Sequence, residues 1–348
     1  MPSKYRRTES NYRNQPHSGT KAAPTGTSRD LNLATLSKLF VDEDKAREFL
    51  EAKRWPNGAV CPHCECKETY TLTAKEGSKS PVRKGVHKCK ACRKQFTVRI
   101  GTIFEESKIP LSKWLMAIHL MTSSKKGVSS HQISRECGIT QKSAWFLNHR
   151  IREAMKQEPM ATMLTGTVEA DEVYIGGKTR LGKRGRGSER KTPVLVLIER
   201  EGGRAHAAPL ERADGKSIRE VAHKVVAPTA MIHSDEWGGY NGIGQEFGGH
   251  KVVNHRRKQY VRTIKRTGEM ITTNTAESFN ALMKRGHYGI FHHYSKHHLH
   301  RYCNEFSFRW SNRQVTDGER MVTAIRGAEG KRLMYRDPIK AAKEKGQP

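Results

Sequence analysis

Long apolar runs are the first thing this sequence lacks. No stretch of about eighteen apolar residues occurs in its 348, which excludes a helix that crosses a bilayer. Negative charge is the second shortage: 35 Asp and Glu stand against 64 Lys and Arg, for a formal net charge of +29. Surfaces of mixed sign keep proteins soluble without such an imbalance, so a polyanionic partner is expected. Membrane surfaces are anionic too, but no basic amphipathic helix with a Trp, Phe or Leu face is visible, which leaves nucleic acid as the expected partner. Cysteine is also scarce, seven in all. No signal peptide precedes them, so a disulfide framework is not expected.

That scarcity makes the placement of the cysteines informative. "CPHC" begins at 61 and "CKAC" at 89, two C-x-x-C knuckles in a cysteine-poor chain. Each knuckle sets two thiolates on one tight turn, and together they supply the four soft ligands of a tetrahedral zinc site: Cys61, Cys64, Cys89 and Cys92. Cys66 lacks the two-residue spacing and is left out. "TYTLTAKEG" and "GVHKC" between the knuckles read as short strands, which predicts a zinc ribbon. So small a unit buries little surface, and metal ligation would contribute on the order of 10 kcal/mol to its folding.

Five regions are expected along the chain. Residues 1–30 are polar and read as a disordered basic arm. Residues 31–107 hold one helix, over "LNLATLSKLFVDEDKAREFLEAKRW", and the ribbon. Residues 108–158 read as a helix-turn-helix: a helix from near Ser112, a second capped by Ser129 with Gln132 closing a capping box, a turn at Gly138, and a third helix capped by Thr140. If that third helix reads DNA, Gln141, Lys142, Ser143 and Arg150 face bases or phosphates; an ordinary helical hairpin linking two domains has the same pattern. Residues 160–313 alternate strands and helices, as in a mixed α/β sheet flanked by helices. Residues 314–348 read as a charged, weakly structured tail.

Carboxylates at the ends of apolar strands need a reason in so basic a chain. Asp171 lies in "TVEADEVYIGG", Asp235 follows "AMIHS", and Glu277 sits in the first turn of a helix over "NTAESFNALMKRG". Three carboxylates on separate elements are a donor set for two divalent ions, which drive phosphoryl transfer. Each has a plainer role open to it: Glu277 can close a capping box with Asn274, Asp235 can be a turn residue, and Glu169 and Glu172 compete with Asp171.

In order, "RWPNGAVCPHC", "CKACRKQFTVRIGTIFEESKIPLSKWLMAIHL", "KSAWFLNHRIREAM", "VEADEVYIGGK", "IHSDEWGGY" and "NTAESFNALMKRGHYGIF" resemble the bacterial zinc-ribbon DDE transposases of insertion-sequence family 1595, the ISXO-2-like group. The resemblance runs over roughly residues 35 to 313 and implies an RNase H-like catalytic domain. By the same resemblance, Asp171, Asp235 and Glu277 are the catalytic carboxylates, holding two Mg²⁺ or Mn²⁺ ions. The implied activity is cleavage at the inverted repeats that end the element, followed by strand transfer into target DNA. Lys284, seven residues after Glu277, matches a basic position of such families that can hold a phosphate; on spacing alone it can equally complement the helix dipole.

Two basic stretches suit a DNA path. Residues 178–191, "KTRLGKRGRGSERK", include Lys183, Arg184 and Arg186, and residues 251–266, "KVVNHRRKQYVRTIKR", include Arg256, Arg257 and Lys258. The expected partners are double-stranded repeat and target DNA and at least a second copy of the chain, because two element ends are joined. A cytoplasmic, nucleoid-associated location follows from the resemblance. A zinc-ribbon regulator that binds DNA without cutting it remains the alternative, as does a degenerate transposase.

Overall fold

The computed structural model describes residues 33–73, 82–157, 163–177 and 191–335. The expected arm at 1–30 and the basic residues Lys183, Arg184 and Arg186 lie outside them.

The chain opens with two helices rather than the one expected: α1, Leu33–Val41, and α2, Glu43–Arg54. Asp42 makes the break. Its carboxylate accepts from the N–H groups of Asp44 and Lys45 at 3.0 and 3.1 Å, the bonds an N-cap makes, so a helix begins anew there. The ribbon follows as three antiparallel strands, β1 (Thr69–Thr71), β2 (His87–Cys89) and β3 (Gln95–Phe96).

Next come α3 (Leu111–Ser123), α4 (Ser130–Cys137) and α5 (Gln141–Ala154). Ser129 and Thr140 cap α4 and α5 as expected, and Gly138 takes the left-handed conformation, φ 57°, that ends α4. Gln132 does not close a capping box; its amide reaches forward to Glu136.

The remainder of the chain builds a five-stranded sheet and its flanking helices. In chain order these are β4 (Thr167–Gly176), β5 (Lys191–Glu199), β6 (Ala205–Pro209), α6 (Gly215–Val225), β7 (Met231–Ser234) and β8 (Gly249–Val252). The strands lie in the order β6-β5-β4-β7-β8. β5 runs antiparallel to its neighbours β4 and β6, whereas β4, β7 and β8 run parallel. This is the mixed sheet flanked by helices that was expected for this part of the chain. A two-stranded hairpin, β9 (Val261–Thr263) and β10 (Met270–Thr272), leads to α7 (Asn274–Gly286) and α8 (Leu299–Ser311).

Alternation along β4 and β5 divides the core. Val168, Ala170, Leu195 and Leu197 point to the α6 side with Ile218 and Tyr240. Val173, Ile175, Val194 and Val196 point to the other side, where Phe279 of α7 and Phe306 of α8 cover them. β5 is therefore buried on both faces, as "TPVLVLIER" suggested.

The expected charged tail is in part a folded element. α9, Asp317–Arg326, starts with a full capping box between Thr316 and Glu319. It buries Met321, Ala324 and Ile325 in one core with Leu36, Leu50, Trp114 and Ile151. The helices on either side of the ribbon and α9 thus form a single body. Residues 336–348 lie outside the described residues.

Candidate active site

Odd-numbered residues of β4 face α7, and that parity sorts its three acidic side chains. Glu172, an even residue, points to the opposite side, where it accepts the phenol hydrogen bond of the buried Tyr240. Burial, with the Glu172 carboxylate beside it, pushes the phenol well above its ordinary range and keeps it a donor. Glu169 is odd but fully engaged. Its carboxylate accepts from the N–H groups of Thr275 and Ala276 at 2.8 and 3.1 Å, capping α7, and from Arg200 at 2.9 Å. Thr273, the residue before α7, makes no side-chain cap bond, and neither does Asn274 with Glu277; Glu169 serves that end from the strand. Asp171 is the odd carboxylate left for chemistry.

Asp171 Oδ1 accepts from the N–H of Glu172, and Oδ2 accepts from the amide of Asn280 on α7, both at 2.8 Å. Burial pushes its carboxyl up to about 6, against the lowering effect of the Glu172 N–H, and the charges of Asp235 and Glu277 add to the rise. The three groups therefore share one field. β4 and β7 are parallel with Glu169 opposite His233, so Asp171, midway along β4, and Asp235, just past the end of β7, come level two residues further along each strand. Asp235 Oδ1 accepts the N–H of Trp237 at 3.0 Å, which fixes the turn after β7. Glu277 is exposed in the first turn of α7, and His255 Nε2 stands 3.5 Å from its Oε1. His255 also lies 3.2 Å from Thr273 Oγ1.

Asn280 and His255 escaped the sequence reading. Asn280 carried a legible signal, for it sits three residues after Glu277 on the same helical face. His255 carried none, because its approach to α7 depends on how Glu236 holds the turn after β8 through the N–H groups of His255 and Arg256, at 2.8 and 3.2 Å.

The four cysteines meet. Cys61 and Cys92 sulfurs are 3.6 Å apart, as are those of Cys64 and Cys89, and all four lie within 4.8 Å of one another. A tetrahedron with Zn–S bonds of about 2.3 Å requires S···S separations of roughly 3.8 Å, so the donor set fits Zn²⁺. The thiols share their protons: the N–H of Cys92 and the sulfurs of Cys64 and Cys92 lower Cys89, while the neighbouring sulfurs raise Cys64, as close-packed thiols do where no cation balances their charge. Cys66 is not in the group; its sulfur accepts the N–H of Glu68. Among the described residues the four thiols are the one set of three or more donors gathered so closely.

The expected DNA-facing residues divide. Arg150 does not face DNA: it is 5 % exposed, it packs on the Trp114 and Phe146 rings, and it bonds the Glu105 carbonyl. A sequence cannot distinguish a solvent-facing arginine late in a helix from one the next layer covers. α5 is buried from Leu147 to Arg152, against α3, α8 and α9, so only its first turn is open. There Gln141 bonds Ser130, Lys142 lies over the Tyr335 ring, and Ser143 donates its N–H to the Thr140 cap. Arg256, Arg257 and Lys258 are exposed and follow His255, which reaches Glu277, and Arg262, Lys265 and Arg266 around the β9–β10 hairpin are exposed too. Lys284 is exposed too, but it opens onto a hollow shared with Lys126 and Arg285.

Residues 163–311 match the family model of the ISXO2-like transposase domain, and residues 41–95 match that of the transposase zinc-ribbon domain. A protein of transposable element ISH50 from Halobacterium salinarum is 29 % identical over 291 residues, 78 % of this chain and 92 % of its relative. Among solved structures, the Drosophila P element transposase strand transfer complex is 12 % identical with a TM-score of 0.24, over 59 % of this chain and 58 % of that one. A pre-cleavage Mos1 transpososome is 12 % identical with a TM-score of 0.21, over 63 % of this chain and 79 % of that one. Two family models matched in the expected order, one over the ribbon and one over the carboxylate-bearing sheet, make the chain similar to the ISXO2-like insertion-sequence transposases across these two regions.

Proposed function

We propose that the protein binds the terminal inverted repeats of its element, cleaves DNA at their boundary and transfers the exposed 3′ hydroxyl to target DNA. One observation carries this reading: the parallel register of β4 and β7 brings Asp171 level with Asp235, and Asn280 bonds Asp171 from the helix that carries Glu277. Like charges that act on a buried carboxylate are costly unless a cation neutralises them. The donors are all oxygens, which suits Mg²⁺ or Mn²⁺ held by Asp171, Asp235 and Glu277. Divalent ions bound there supply activation of the attacking oxygen and charge stabilisation on the leaving one.

The protein's own residues supply the rest. Asn280 holds Asp171 in one rotamer, and the Trp237 N–H holds Asp235. Arg256, Arg257, Lys258 and the β9–β10 hairpin form a basic rim that contacts phosphates and brings the scissile bond to the carboxylates. Gln141 and Lys142 are the accessible part of α5 and the residues there that contact repeat DNA. Because two ends must be joined, the working unit holds at least two copies of the chain.

The test is a labelled duplex bearing the inverted repeats, incubated in Mg²⁺ with the protein or with Asp171→Ala. Nicking at the repeat boundary by the wild type and none by the variant, with equal binding and equal zinc content, is the expected result. Binding by both and cutting by neither, in Mg²⁺ or Mn²⁺, would establish a DNA-binding regulator instead.

A further inference from the structure

A cleft of about 430 Å³ separates the helical body from the sheet domain, at a distance from the carboxylates. Trp145, Asn148 and Arg152 of α5 line one wall, and Phe291, His293 and Tyr302 line the other. Its base is rigid. The Arg152 guanidinium lies 4.0 Å over the Tyr302 ring and bonds Glu305 at 2.6 Å. Trp145 is only half-buried, so part of an indole ring stays open to an occupant.

Asn148 is 1 % exposed, and its amide oxygen has no hydrogen-bond partner. A buried, unpaired amide is unfavourable, and one that lines an aromatic cleft is a recognition group awaiting its ligand. The opposite rim is an uncommon piece of backbone. Residues His287–Phe291 form a π-turn, and His292 follows at φ 58°, a left-handed conformation that costs energy in a residue with a side chain. Gly127 locks that rim: a Cβ there would stand 2.4 Å from the Phe291 ring.

Ile290 belongs both to this cleft and to a second, open hollow formed with Lys126, Lys284, Arg285 and Tyr288. That hollow is basic and sits at the far end of α7, the helix that carries Glu277 in its first turn; seven residues at about 1.5 Å each put Lys284 roughly 10 Å further along the axis.

We propose that the cleft takes one nucleobase extruded from the bound duplex, stacked on Trp145 and read by Asn148, with the adjoining phosphates against Lys126, Lys284 and Arg285. The inference rests on the DNA-cleavage reading above and names a further contact for it. Aromatic walls, an amide and a flanking basic surface are the chemistry by which an unstacked base is held. Because the walls come from α5 and from the loop before α8, an inserted base would also fasten the helical body to the sheet domain.

Extruding a base is easiest where its pairing is already broken. The test walks single mismatches across the repeat terminus and measures binding of the full-length protein without divalent ions. A mismatch at one position should tighten binding about tenfold, and a thymine there should become permanganate-reactive in the complex. Trp145→Phe should keep the gain and Trp145→Ala should lose it. His293→Glu, an exposed change at the mouth, should reduce the gain by placing a carboxylate beside the strand, and it serves if Trp145→Ala folds poorly. Equal affinity at every position, or a gain that survives both Trp145→Ala and His293→Glu, overturns the inference. Failure of the cleavage reading shows separately, as absence of Mg²⁺-dependent cutting of the fully paired duplex.

Discussion

The amide of Asn280 on α7 donates to Asp171 Oδ2 on β4 at 2.8 Å, which couples the helix that carries Glu277 to the strand that carries the first carboxylate. Groups that orient a metal ligand commonly matter about 10–100-fold. Asn280→Ala should therefore lower single-turnover cleavage by about that factor, with repeat-DNA affinity within about twofold of wild type. Since the amide favours the charged carboxylate, its loss should also move the acid limb of the rate profile to higher pH. An unchanged limb together with an unchanged rate would mean Asn280 is only a packing residue.

Asp171 itself gives a stability prediction with a definite sign. Its folded pKa, about 6, lies above the ordinary 3.8, so the folded state prefers the proton. Stability from this group is thus full below about pH 4 and is lost as pH rises through 6. At pH 7.5 the ionised side chain costs roughly 2 to 3 kcal/mol. Asp171→Asn should raise the melting temperature in EDTA at pH 7.5 and abolish cutting. Added Mg²⁺ should stabilise the wild type more than the variant. A lower melting temperature for the variant in EDTA would show that burial and repulsion do not dominate at this position.

Much of this site was readable as motif and little of it as geometry. The acidic positions, the knuckle cysteines and the fully apolar β5 follow from local pattern. Which of Glu169, Asp171 and Glu172 faces α7 does not, because parity has meaning only once the partner faces of the sheet are known. Glu169, two residues before Asp171, spends its carboxylate on the helix cap and Arg200, a choice made by tertiary contact. α9 is the opposite case. "TDGERMVTAIR" holds a T-x-x-E cap and an apolar stripe at Met321, Ala324 and Ile325, legible signals hidden by the density of charge around them. Arg150 failed for the reason buried arginines often do: Trp114, which covers it, comes from α3, and only Phe146, one turn back on the same face of α5, is visible in the local sequence.

Loss of zinc should unfold the ribbon and loosen the helical body with it. Arg54, at the end of α2, bonds both Val98 of the ribbon and Glu329 after α9, at 2.6 to 2.7 Å, so the ribbon is joined to elements on both sides. Cys89→Ser, or treatment with a strong chelator, should release one equivalent of zinc. Hydrogen exchange should then rise first in residues 59–104 and next in α2 and α9, while β4 and β5 stay protected. Protection that persists across 59–104 without metal would rule out zinc as the ribbon's main source of stability.

Glu305 is the charge on which the junction of the two bodies depends. It is fully buried in α8 and bonds Arg152 of α5 at 2.6 Å, with Arg309 at 3.1 Å on its other oxygen. Burial opposes the charge on Arg152, yet the Glu305 carboxylate more than offsets it and holds that guanidinium above its ordinary value. Removing the carboxylate leaves two buried cations without a counter-charge, a change that typically costs about 3 to 5 kcal/mol. Glu305→Ala should therefore destabilise the protein by about that amount in denaturant titration and separate the unfolding of the helical body from that of the sheet. Replacing all three charges, Glu305→Leu with Arg152→Met and Arg309→Met, should recover much of the loss, because no buried charge is then left without a partner. If the triple variant is as unstable as Glu305→Ala, shape rather than charge governs the junction.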